Sequence, residues 1–156
     1  MKQTDNFKFD EANVMNELVY RNLSEDAKRQ ICAWKYGGEY DLYNLPSYEE
    51  MQVRQIGFMN PQREKNYYGF WDESILVGFV NILEEKEEVF IGIGVNPDLC
   101  NKHYGQRMLL ITYEISKKLY PNKPLYLEVR TWNIRAVKCY QKAGFRIDGQ
   151  AYELTT

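Results

Sequence analysis

The sequence predicts an α+β fold in which a mixed sheet carries helices on both faces, and three observations lead there. First, strand-like segments 66–71, 75–83 and 89–95 follow one another across short polar breaks, Asp72-Glu73-Ser74 and the acidic run 84–88, as antiparallel hairpins do. Second, residues 105–119 place Met108, Leu109, Ile111, Ile115 and Leu119 close to a 3.6-residue period, the mark of a helix with one buried stripe. Third, a strand over 124–129, a helix opening at Asn133 and a strand over 145–147 return the chain to the sheet.

Taken in order, residues 17–22 read as a short strand. Ser24 is an N-cap residue, Glu25 and Asp26 follow where the helix dipole favours anions, and apolar Ile31 and Trp34 continue a first helix. Residues 36–46 are rich in Gly, Tyr and Asn and read as a loop. Ser47, with Glu49 and Glu50, opens a second helix running towards Ile56. After the meander, the long helix ends on Lys117 and Lys118 with Pro121 just beyond. Asn133 caps the last helix, which runs through Ala136, Val137 and Tyr140 until Gly144 stops it. Asp148-Gly149 is a turn dipeptide, leaving 150–154 as a short final strand. Residues 1–16 are an extension that serves as tail, edge strand or interface, and a strand at 7–9 is one way to complete the sheet.

A chain of 156 residues, 44% of them hydrophobic, buries one core and is too short for two ordinary domains, so a single domain over 1–156 is expected. A formal charge of -2 offers no basic field to a nucleic-acid backbone and no polybasic run to an anionic membrane. The longest apolar runs, 75–80 and 108–111, fall short of the roughly 20 residues a membrane span needs. Residues 1–10 lack the apolar stretch of a secretory signal, so a cytoplasmic location is expected. Cys32, Cys100 and Cys139 form no CxxC pair, and His103 is the one histidine. A disulfide framework, a zinc site and a Ser-His triad are therefore all disfavoured, and no metal is expected.

The chemistry concentrates after residue 90. Ile91-Gly-Ile-Gly-Val95 runs through Asn96-Pro97-Asp98 and Cys100-Asn-Lys-His-Tyr-Gly105 into the long helix. A strand, a polar turn and a helix N-terminus in succession make an anion cradle, because unpaired backbone N–H groups and the positive end of the helix dipole meet there. The same pattern also fits an ordinary strand-to-helix turn. It is neither a Walker loop nor a dinucleotide fingerprint. Downstream, Asn133 and Tyr140 are seven residues apart, about two helical turns, so both can face one cleft. Each has a plainer reading: Asn133 as an N-cap, Tyr140 as a packing residue, Gly144 as a helix stop and His103 as a solvent-facing loop residue.

Val95-Asn96-Pro97, Gly105, Leu125 to Val129, Thr131-Trp132-Asn133, Arg135-Ala136 and Tyr140-Gln-Lys-Ala-Gly-Phe145 together resemble the GNAT superfamily of acetyltransferases. The family's cofactor signature is [QR]-x-x-G-x-[GA], and here Cys100 and His103 stand at its first two conserved positions while Gly105 keeps the third. The resemblance implies a three-layer fold with a central, mostly antiparallel sheet, and acetyl-CoA as acyl donor. It implies cofactor contacts from Ile93, Val95, Lys102, His103, Tyr104, Gly105, Gln106, Arg107, Asn133 and Ala136, chiefly through backbone amides. It also implies direct attack of a primary amine on the thioester, with the Tyr140 hydroxyl beside the sulfur as general acid.

Family members often carry a base on the strand before the cradle, where this chain has Val89 and Ile91; Glu88 and Glu87 just before them are the candidates, although a solvated acidic hairpin also explains 84–88. Trp34, Tyr36, Tyr40 and Tyr43 offer a cation-binding wall for the acceptor, or a loop pinned to the core by its rings. The partners implied are acetyl-CoA and an amine, in a monomer or homodimer. The rival reading is a catalytically weak CoA-binding or regulatory module of the same fold.

Overall fold

The computed structural model describes residues 1–3 and 18–147. Its strands are β1 Lys2–Gln3, β2 Val19–Asn22, β3 Tyr67–Asp72, β4 Ile75–Glu84, β5 Val89–Val95, β6 Leu125–Tyr126 and β7 Phe145–Arg146. Its helices are α1 Glu25–Ala33, α2 Tyr48–Arg54, α3 Tyr104–Leu119 and α4 Ile134–Lys142. Among the described residues the strands form one sheet in the order β2-β3-β4-β5-β6-β1-β7. Only the β5–β6 pairing is parallel, and every other neighbouring pair is antiparallel. The predicted mixed, mostly antiparallel sheet is the one found.

Alternation along the strands sorts the side chains into two cores. Val80 and Ile82 of β4 and Val89 and Ile91 of β5 join Met108, Leu109 and Ile115 of α3 in a buried cluster on one face. Ala27, Ile31 and Cys32 of α1 pack with Tyr48 and Met51 of α2, Phe58 and Trp71 on the other. A residue period of two on the sheet and 3.6 on the helices thus produces three layers. Lys28 ties α1 to the turn before β3: buried in the protein, its ammonium meets Glu25 at 3.0 Å and Glu64 at 2.7 Å.

Capping follows the sequence signals closely. The side chains of Ser24, Ser47 and Asn133 accept the backbone N–H of Ala27, Glu50 and Ala136, opening α1, α2 and α4. Gly144 ends α4 at φ +95, a left-handed conformation that glycine adopts without strain. Three expectations change. Residues 38–43 are a 3-10 helix rather than an irregular loop. The strand expected over 124–129 narrows to Leu125–Tyr126, and Leu127 continues the antiparallel contact with the start of the chain by donating its N–H to the Met1 carbonyl. Strand β1 itself lies inside the sheet, antiparallel to both β6 and β7, so residues 2–3 of the extension are neither tail nor edge. The strands proposed at 7–9 and 150–154 lie outside the described residues.

Two glycines of the central strands make opposite demands. A Cβ at Gly78 would stand 2.5 Å from Met108 Cε and 2.6 Å from the Gly94 carbonyl oxygen, so bare backbone is what lets α3 sit on β4. A Cβ at Gly92 would meet its nearest neighbour, Asn81 Cβ, at an ordinary 3.5 Å. Gly78→Ala is therefore expected to lower unfolding free energy by about 2–3 kcal/mol in urea titrations, while Gly92→Ala stays within roughly 0.5 kcal/mol of wild type.

Candidate active site

The site is built where β5 stops. Asn96 ends the strand by bonding twice to β4: its backbone N–H donates to Val77 O at 2.8 Å and its Nδ2 to Leu76 O at 3.1 Å. Those carbonyls are presented at the place where the β3–β4 register shifts, between Phe70 and Trp71. The Asn96 Oδ1 then accepts the N–H of Asp98 at 3.0 Å and starts a 3-10 turn over Pro97–Leu99. An asparagine before proline is a turn signal of this kind, and it is the feature by which Asn96 was readable as a site-building residue.

From there the chain reaches α3 through two left-handed residues, Asn101 and His103, each at φ +66. His103 is the N-cap of α3, and its side chain makes no capping bond, unlike the serines and asparagine that open the other three helices. The N–H groups of Tyr104, Gly105 and Gln106 lie in a first turn whose geometry gives them no acceptor four residues back, so they point outward at the positive end of a 16-residue helix.

Beside this helix end the sheet opens. Strands β5 and β6 pair only at Val89 with Leu125 and Phe90 with Tyr126. Beyond them β5 runs on to Val95 while β6 leaves it after Tyr126, so the two part in a wedge. Ile93 and Val95 line its β5 wall and pack on the α3-side core. Asn133, which caps α4, is buried, 6% exposed.

Helix α4 brings Tyr140 to the same core, where it is partly buried. Burial pushes its hydroxyl well above the usual tyrosine range, and Cys139 and Tyr43 act in the same direction. A proton on Tyr140 is therefore held until a strong base draws it. Burial also raises the thiols of Cys32, Cys100 and Cys139, so none is an activated thiolate nucleophile. Gly105, expected at the cofactor, has a second duty: a Cβ there would come within 3.0 Å of Cys139 Sγ, so it sets the close approach of α3 and α4.

The remaining expected residues divide. Lys102 is exposed. Tyr104 donates its hydroxyl to Asp72 at 2.6 Å, with the Arg107 guanidinium 5.3 Å from its ring, so its side chain turns away from the helix end. Gln106 reaches back to Lys142 O at 3.4 Å. The N–H of Ala136 is taken by the Asn133 cap at 3.1 Å. On the acceptor side, Trp34 packs against Phe79 with ring centroids 6.3 Å apart. Tyr36 donates to Val95 O at 2.6 Å, and Tyr40 lies 5.6 Å from Trp132 with Arg135 over its ring at 4.3 Å.

Glu88 sits at the closed end of the wedge, seven residues before Val95, or roughly 23 Å along the strand. It belongs to an acidic group: Tyr126 is raised chiefly by burial, then by its hydrogen bond to Glu85, with Glu88 and Glu128 adding to it. Trp132, Arg135 and Tyr43 contribute more to the site's walls than the sequence suggested, because their partners lie some 90 residues away in the chain. Among the described residues no group of three or more His, Cys, Asp or Glu side chains could hold a metal, and no helix is long and apolar enough to cross a membrane.

Comparison with known proteins agrees with this geometry. The profile described as "Acetyltransferase (GNAT) family" matches residues 23–145. No curated protein matches the chain. Among solved structures, a spermidine N-acetyltransferase SpeG chimera from Vibrio cholerae and hSSAT superposes with a TM-score of 0.71 at 20% identity, covering 85% of this chain and 82% of that one. An acetyltransferase (GNAT family) from Bacillus anthracis gives 0.71 at 17% identity over 96% and 86%. One from Streptococcus pneumoniae gives 0.62 at 23% identity over 85% and 87%.

The left-handed N-cap yields a direct expectation. A side chain at φ +66 is strained where glycine is not, so His103→Gly should stabilise the fold by about 1 kcal/mol, read as a rise in thermal midpoint. A fall in the midpoint would mean that the imidazole makes a contact outweighing that strain.

Proposed function

The chain belongs to the acetyltransferase (GNAT) family, and on that premise we propose that it moves an acetyl group from acetyl-CoA to a primary amine of a small molecule or peptide. The observation that carries this reading is the uncapped N-terminus of α3, reached through a left-handed turn and opening beside the parted strands. The residues present fit the donor: outward N–H groups of Tyr104, Gly105 and Gln106 suit a pyrophosphate, and the wedge beside Ile93 and Val95 suits an extended arm.

Acetyl-CoA, when bound, supplies an activated thioester. The amine nitrogen attacks its carbonyl carbon directly, the new C–N bond forms and the C–S bond breaks. Tyr140 returns a proton to the departing thiolate: its hydroxyl stays protonated at neutral pH and is a donor in the resting site, and the burial that raises its pKa works against the transfer unless the thiolate forms beside it. Glu88, the base expected for the incoming ammonium, lies within the acidic group around Tyr126, roughly 23 Å along the strand from Val95, so it is not within direct reach of an amine at that end and the proton passes to water there. Asn133 holds α4 in register by its cap, and Trp34, Tyr36 and Tyr40 form the acceptor's aromatic wall. The whole machinery is assigned to a single domain.

Two observations favour the rival reading of a weak CoA-binding or regulatory module. A side chain occupies the cradle at His103, and the Val95 carbonyl is already engaged by Tyr36. Kinetics separates the two. With an amine panel that includes spermidine, the acceptor named for a structural neighbour, Tyr140→Phe should lower kcat about 100-fold while the calorimetric Kd for acetyl-CoA stays within about twofold. Equal losses in both would contradict the general-acid role, and binding without transfer by the wild type would favour the module.

A further inference from the structure

The segment 36–44 runs from the β5 wall across to the start of α4. Its base is clamped: the N–H of Tyr36 donates to Asn44 Oδ1 at 2.6 Å, and the Tyr36 hydroxyl holds Val95 O on the β5 wall. Gly37 and Gly38 follow. A Cβ on either would meet nothing within 4 Å, so they are not there for space, and Gly38 sits at φ +57. Such a pair can absorb a backbone rotation. The tip is the 3-10 helix Gly38–Tyr43, none of whose residues is fully buried. It lands at the start of α4 through few contacts: Tyr40 and Tyr43 against Trp132 at 5.6 and 6.3 Å, Arg135 over Tyr40, and the Tyr43 hydroxyl accepting Asn133 Nδ2 at 3.0 Å.

We propose that residues 38–43 are a strap that pivots on Gly37-Gly38 and seals the acetyl-transfer site, with Tyr43 as its latch; the inference rests on the acetyl-transfer reading above. Asn133 is the reason Tyr43 holds this position. One end of that amide caps α4, which carries Tyr140 two turns on, and the other end donates to the Tyr43 hydroxyl on the strap. A closed strap thus satisfies a buried amide donor and fixes the helix that carries the proposed acid. An open one leaves the donor to water and lets solvent into the wedge. Tyr43 is a positioning residue: it acts through Asn133 rather than on the reacting atoms.

The latch is testable without turnover. In amide hydrogen exchange on the free protein, Tyr43→Phe should speed exchange several-fold at Tyr40 and Asn44, whose N–H groups bond inside the strap to Gly37 O and Asp41 O. Val80 and Ile91 in the core should be unaffected. Trp132→Ala, a change at a partly exposed ring, should give the same pattern and guards against misfolding of one variant. Both variants should also release thiol from acetyl-CoA without an acceptor several-fold faster than wild type. Unchanged exchange at Tyr40 and Asn44 in both variants would overturn the latch, and so would acceleration shared equally by Val80 and Ile91. Exchange as expected with no acetyl-CoA binding by the wild type would overturn the transfer reading instead and leave the latch standing.

Discussion

Strands β5 and β6 run parallel through only two residue pairs, and the rest of the site depends on their parting. Had the pairing continued, the carbonyl and N–H groups on that side of Ile93 to Val95 would be consumed by a ladder. Because β6 leaves β5 after Tyr126 while keeping its contact with the start of the chain, a trough of strand backbone lies open beside the end of a helix. An opening in a sheet exposes polar backbone groups, which fold stably only when water, a ligand or side chains meet them. Tyr36 on Val95 O is one such partner, supplied by the chain itself.

The helix termini around this opening are treated differently, and the difference has a physical sense. Where a helix serves only to pack, a serine closes its first turn, as at Ser24 and Ser47. At α3 the first turn is left to face outward, and the turn before it accepts left-handed residues to aim it. At α4 the cap is made by Asn133, whose second amide group reaches across to another part of the chain. Asn96 and Asn133 thus play parallel parts: each uses one end of an amide to start a helical turn and the other to tie that turn to a distant element.

Much of this was legible in the sequence, because it rests on local signals. Periodicity and capping placed α1 to α4 within a few residues, and the strand-turn-helix order placed the N-terminus of α3 just after the end of β5. What escaped was non-local. Nothing in Lys2 and Gln3 announces that they pair with Tyr126, Phe145 and Arg146 across the whole chain, yet that pairing sets β1 between β6 and β7. Residues 38–43 carry no helical periodicity, so their 3-10 turn and its landing on Trp132 emerged only from the fold. The acidic run 84–88 reads more readily as a solvated hairpin than as the source of a base, and the structure gives Glu88 a place beside Tyr126 at the closed end of the wedge.

The central claim is that the N-terminus of α3 and the open edge of β5 together receive an acyl-CoA. The most direct measurement is a titration of the isotopically labelled protein with CoA, followed by amide nitrogen–proton spectra. The account predicts that shifts concentrate at residues 103–107 and 93–95, with weaker changes at Asn133 and in the strap. Shifts confined to other surfaces, or none at millimolar CoA, would contradict it.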